Sequence, residues 1–310
     1  MAGLILSEFD FIYRENSGFR VSAAAWYDEA YRRLDNKNVA SSNHLGDDGT
    51  QELGLSRSTK RFHKGPSGEI LDAFVFSRFD LGEVPLYVKA GRHTQYWGEA
   101  MLSPIHGVSY GQAPLDLRKA ASVPGTEAKE LFLPRNAISA QLQATDELSL
   151  AAQYFLDWKP FRIPEAGSFL GAADMLLEGG ESLILAPGFY LRRGDDVTPD
   201  KRGDYGVSAR WSPRWLDGTL GAYYRRTADI QPQLHIDVVS SQYHLVYPGD
   251  VDVFGLSLAK NIGGISVGAD LSYRKDMQAF HSRFPRPVTR RCGTTSCVSW
   301  DIRRCTSSTR

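Results

Sequence analysis

Cysteine is missing from the first 283 residues of this 310-residue chain; Cys292, Cys297 and Cys305 all stand in its last stretch. The body of the chain therefore holds neither a disulfide framework nor a cysteine-ligated zinc site, and the tail spacing with His281 fits no usual zinc pattern. Long apolar runs are missing as well. No window approaches the ~18 apolar residues that a membrane-spanning helix needs, which excludes a helical membrane protein. Net charge is missing too, since 36 Lys plus Arg balance 36 Asp plus Glu. Without a basic field, and without a basic run interleaved with aromatics, nucleic-acid binding is excluded. There is no glycine-rich phosphate loop, no paired-histidine zinc helix and no nucleophile elbow, and His106 near Ser109 supplies only two members of a triad. No cofactor, metal site or catalytic residue is expected.

What is present is alternation. In "FRVSAAAWYDEAY" (19–31), Phe19, Val21, Ala23, Ala25 and Tyr27 share one face, and Arg20, Ser22, Ala24, Trp26 and Asp28 the other. Trp26 interrupts the polar count. The same period recurs over 148–158 and 265–275, and reading the whole chain for it predicts ten strands. They run over 3–14, 19–31, 70–80, 85–96, 136–144, 148–159, 204–212, 218–228, 251–260 and 265–275.

The connections follow a rule. Tight turns at "ENSG", "LGEV", "TDE", "SPRWLD" and "NIGG" alternate with long stretches at 32–69, 97–135, 160–203 and 229–250. Connections in compact soluble domains are mostly ~4 to 6 residues, so a β-sandwich or solenoid does not explain four such stretches. An outer-membrane barrel does, with short periplasmic turns and long outer loops. The expected fold is all-β: an antiparallel transmembrane β-barrel, partial at about ten strands, over residues 1–283. Tyr13, Tyr27, Trp158, Tyr205, Trp211 and Trp215 are candidates for an interfacial girdle.

In the 97–135 stretch, Pro114 before "LDLRKAA" predicts a short helix, and Thr126 before "EAKELF" a second. Folded inward, this loop would bring Asp116, Arg118, Lys119, Glu127, Lys129 and Glu130 to a passage; a solvated outer face is the alternative. On the preceding strand Lys89, Gly91, His93 and Gln95 share a face opposite Val88, Ala90 and Arg92, and Arg92 must then sit at a rim or pair with an acid. Candidate pore-lining residues are Arg20, Arg78, Lys89, His93, Gln95, Asp116, Arg118, Lys119, Arg210 and Arg225.

"GRHTQYWGE" (91–99) and "PLDLRKAASVPGTEAKELFLP" (114–134) resemble the signature region of domain-of-unknown-function family 1302, Gram-negative outer-membrane barrel proteins, over residues 3 to about 277. The resemblance implies a longer barrel with a signal peptide. This chain, whose start shows none, is therefore expected to be an internal fragment that lost it by truncation. Residues 284–310, rich in Ser, Thr and Arg, are expected to be unstructured or out of frame. The resemblance also implies partners: outer-membrane lipid, a periplasmic lipoprotein-like factor and an inner-membrane exporter. The function it implies is passage of a hydrophobic or lipid-like solute. The alternatives are a surface binding or structural barrel without an open pore, and an outer-membrane hydrolase.

Overall fold

The computed structural model describes residues 2–32, 57–99, 106–122, 131–165, 168, 171, 175, 176, 180, 182–186 and 189–277. The chain divides into a compact unit over Met1–Met277 and a remainder over Gln278–Arg310. The expected tail, and Glu127, Lys129 and Glu130 of the expected helix over "EAKELF", lie outside the described residues.

All ten expected strands form. In chain order they are β1 (Ala2–Tyr13), β2 (Ser17–Asp28), β3 (Ser67–Leu81), β4 (Val84–His93), β5 (Arg135–Gln143) and β6 (Leu148–Phe155). After the shorter β7 (Ser182–Ala186) and β8 (Phe189–Arg193) come β9 (Tyr205–Trp211) and β10 (Gly218–Thr227). Two more short strands, β11 (Gln233–Asp237) and β12 (Gln242–Val246), precede β13 (Val251–Ile262) and β14 (Ile265–Lys275). The ten long strands make one sheet in the order β1-β2-β3-β4-β5-β6-β9-β10-β13-β14, each paired antiparallel with its neighbour. The fold is thus all-β and antiparallel, with the up-and-down connectivity of a barrel wall.

Turn chemistry explains the tight links. Gly263 and Gly264 at the β13–β14 turn take φ of 58° and 84°, the left-handed pair that a two-residue hairpin requires and glycine adopts without strain. Arg14 and Glu15 take φ of 50° and 61° at the β1–β2 turn, where side chains make the same geometry costlier.

The long connections differ from expectation. Those after β6 and β10 are not structureless: they supply β7, β8, β11 and β12, a second sheet in the order β11-β12-β8-β7. Leu183, Leu191, Tyr243, Leu245 and Tyr247 form its core. Strands of five residues fall below the length needed to cross a bilayer, so a search for membrane-length alternation passes over them. Trp158 belongs to this core and not to a girdle: it packs edge-on to Tyr247 at 4.8 Å and donates Nε1–H to the Asp229 carbonyl. In the 97–135 connection the helix Leu117–Ser122 forms where "LDLRKAA" predicts it.

Register fixes which side chains share a face. Val88, Ala140, Ala152, Val207, Tyr224, Phe254 and Tyr273 follow one another across the sheet on one face, which the opposed pair Phe19 and Val75 shares, Val75 standing opposite Ala90. That face is apolar and open, with Val207, Leu256 and Leu271 at 51%, 57% and 68% exposure. Its middle strands border a hollow of about 780 Å³ lined by Leu142, Leu150, Val207, Phe254 and Leu271 among others. The opposite face carries Ser139, Gln153, Ser208 and Ser257, all buried. The sheet is inverted relative to a soluble one, with its apolar side out and its polar side covered over the middle strands, where Ser139, Gln153, Ser208 and Ser257 lie.

Candidate functional site: the covered polar face

The polar face is covered by the chain that follows β4. Three guanidinium groups hold the turn 107–113 against it. Arg225 on β10, 0% exposed, donates from Nη1 to the carbonyls of Val108 and Tyr110 at 3.0 and 2.6 Å. Arg135 at the start of β5 donates from Nη1 to the Gly111 carbonyl at 2.7 Å and from Nη2 to Asp204 at 2.7 Å. Arg274 on β14 lies over the Tyr110 ring at 3.8 Å. The Tyr110 hydroxyl donates to Asp229, and burial, then that carboxylate, pushes the phenol well above its usual range. Gln112 completes the seat, donating Nε2–H to Gln153 and accepting the Trp97 amide at 2.7 Å.

At the loop end of β2 and β3, charges from four connections and strands meet. Arg118 pairs with Asp116 at 2.8 Å and Glu165 at 3.2 Å, and Glu165 meets His63 at 2.5 Å. Arg162 bridges Asp116 at 2.9 Å and Glu69 at 3.1 Å, and Lys119 approaches Glu69 at 3.7 Å. The Phe62 ring lies 4.2 Å from the Arg118 guanidinium and 4.8 Å from that of Arg162. Burial opposes the Arg162 charge, but Glu69 and Asp116 outweigh it and raise its pKa.

These clusters relocate the sequence candidates. Asp116 and Arg118, at 0% and 4% exposure, are enclosed in the ion-pair cluster. Lys119 borders it. Arg20, Arg78, Lys89, Arg210 and Arg225 all lie on the polar face. Arg20 pairs with Asp10 at 2.6 Å, Arg78 with Asp80 at 3.0 Å and Arg210 with Glu99 at 3.2 Å, while Lys89 lies over the Phe74 ring at 5.4 Å. His93 is buried, between the Gly91 carbonyl at 3.0 Å and Ser139 Oγ at 2.9 Å. Gln95 stands past the end of β4, donating to the same Ser139 at 2.8 Å. Arg92 lies on the apolar face opposite Asn136, one residue from the end of β4, as a rim position requires. Trp26, the break in the polar count, stacks on Phe62 at 6.3 Å and donates to the Arg61 carbonyl.

Sequence reading did not nominate Arg135, Gln153, Asp204 or Arg274. Gln153 and Arg274 carry the polar phase of the alternation, and that phase was their one available signal. Arg135 and Asp204 sit at or beyond strand ends, where alternation is silent.

A family model described as "Protein of unknown function (DUF1302)" matches residues 3–286, nine residues past Met277, where the resemblance was expected to fade. Two solved structures are similar to the chain. One is OpdK of Pseudomonas aeruginosa with vanillate, at 10% identity and TM-score 0.35, covering 88% of this chain and 61% of that one. The other is OccAB3 of Acinetobacter baumannii, at 12% identity and TM-score 0.36, covering 88% and 60%. The chain thus spans about three-fifths of their length. No curated protein matches it.

Proposed function

The chain belongs to the DUF1302 family, and from that premise we propose that it forms part of an outer-membrane barrel of a Gram-negative bacterium that passes a solute along its polar face. The observation that carries this reading is the inverted sheet. Each Val, Leu or Phe left in water forgoes ~1.5–3 kcal/mol. An apolar face that exposes Phe9, Val75, Ile138, Val207, Leu256 and Leu271 together would forfeit about the ~5–15 kcal/mol that holds a domain folded. Facing lipid, the same side chains cost nothing, and the backbone groups of the eight inner strands of the wall are satisfied by their neighbours.

The dimensions agree. From Tyr205 to Trp211 on β9, six steps of ~3.3 Å span roughly 20 Å, against an outer-membrane apolar band of ~25 Å. Aromatics mark both edges of that span: Tyr205, Tyr224, Phe254 and Tyr273 in a row at the loop end, and Trp211 against Trp215 at the turn end. Side chains of this kind settle at membrane–water interfaces.

The family resemblance suggests a hydrophobic or lipid-like solute, handed on with a periplasmic lipoprotein-like factor and an inner-membrane exporter. Conductance in planar bilayers tests passage. Discrete channels that widen when the turn 107–113 is shortened are the expected result. A heat-modifiable, membrane-embedded protein that never conducts would favour the surface binding or structural role.

A further inference from the structure

We propose that Arg225 and Gln153 form a carboxylate-binding site beneath the turn 107–113. A guanidinium has five N–H donors in a fixed plane, and a fully buried one left without acceptors is costly. Arg225 is 0% exposed, and only its Nη1 is engaged, by the carbonyls of Val108 and Tyr110. Its Nε and Nη2 are buried without a hydrogen-bond partner. Those two atoms present parallel N–H bonds from one edge of the plane, the fork that matches the two oxygens of a carboxylate.

A second donor lies beside the first. Gln153 and Arg225 both pair with Gly206 on the strand between them, so the two side chains rise from one rung of the polar face. Gln153 is 4% exposed; its Oε1 accepts from Gln112, while its Nε2 has no partner. Both residues reach the same turn, Arg225 at Val108 and Tyr110, Gln153 at Gln112. Gly206 puts no side chain between them, and the Trp97 ring closes over it: a Cβ there would stand 3.0 Å from Trp97 Cζ3. An apolar wall beside a fork of donors lowers the local dielectric and strengthens a charge-assisted pair.

The surrounding charges leave room for one more anion. Arg135 and Arg274 reach the same turn. The nearby carboxylates are already engaged, Asp204 by Arg135, Thr227 and the Ala228 amide, and Asp229 by Tyr110 and the Gln231 amide. The ligand class is therefore a molecule bearing a free carboxylate, held by two N–H bonds from Arg225 and one from Gln153. The site stands whether or not the barrel conducts.

The test is equilibrium dialysis of the protein, extracted from outer membranes in detergent, against benzoate, with benzamide as the neutral isostere. Saturable benzoate binding at one site per chain is expected, with benzamide failing to compete. Arg225→Lys, which keeps the charge and loses the fork, should weaken binding at least tenfold, and Gln153→Leu should weaken it several-fold. Heat-modifiable mobility checks that both variants fold. Absence of saturable benzoate binding, equal binding of benzamide, or an unchanged affinity in folded Arg225→Lys would overturn the site. Benzoate binding by a barrel that never conducts would sink the passage reading and leave the site standing; conduction without benzoate binding would do the reverse.

Discussion

Arg118 illustrates what a single residue reveals only in three dimensions. In the sequence it is one basic residue of a helix start; in the fold it neutralises Asp116 and Glu165 inside the ion-pair cluster. Removing one partner of a buried pair strands the other charge, at ~3–5 kcal/mol. Arg118→Met should therefore lower sharply the temperature at which boiled and unboiled samples run alike on a gel. Arg20→Ala, which breaks an exposed pair with Asp10, should leave that temperature nearly unchanged, because solvent screens such pairs. Lys159 offers a titration. Burial, opposed by Asp157, pushes its amine down to about 8, below the unfolded lysine value of ~10.4. Because the folded pKa is depressed, charging Lys159 opposes folding below pH 8, and the penalty fades as pH rises from about 8 toward ~10.4. Competitive acetylation read by mass spectrometry should give Lys159 a midpoint near pH 8 in the folded protein, returning to the ordinary lysine range in denaturant. Neither role was legible in the sequence: alternation reports which face a residue takes, while a partner such as Glu165, far along the chain from Arg118, leaves no local mark.

At the scale of elements the sequence was far more readable. Period-2 patterning located all ten long strands because each must be apolar on one side over a membrane-length run, and a slip of one residue would exchange the faces. The assignment of Lys89 and His93 opposite Val88, Ala90 and Arg92 agrees with the register of β4 against β5. The short strands β7, β8, β11 and β12 escaped because five residues carry too little pattern, and their pairing joins segments from two different connections. Substitution separates the two faces. Leu256→Arg, in the middle of β13 on the apolar face, should cost ~2–4 kcal/mol at the bilayer midplane and impair assembly in outer membranes. Ser266→Arg, on the polar face of β14 opposite Asn261, should assemble normally. Protease resistance of intact cells reports both.

For the whole molecule, the two outer strands of the sheet carry the clearest message. Among the described residues β1 pairs with β2 alone and β14 with β13 alone; residues 3–13 of β1 are exposed on both faces, and β14 is exposed along its apolar face. An unpaired strand edge has no water in lipid to satisfy its N–H and C=O groups, so in a membrane both edges must be covered. Alternation within a strand carries no information about that closure, because the pattern is the same in an open sheet and a finished barrel. What the account asserts most directly is which face meets lipid. Single cysteines placed at 207, 208, 209 and 210, in a chain whose native Cys292, Cys297 and Cys305 are replaced by serine, test it by spin-label accessibility in outer membranes. The account predicts that positions 207 and 209 are accessible to oxygen and shielded from a water-soluble nickel chelate, that 210 is the opposite, and that 208, buried on the covered polar face, is reached poorly by both. Equal accessibility of all four to the chelate would contradict it and return the sheet to water.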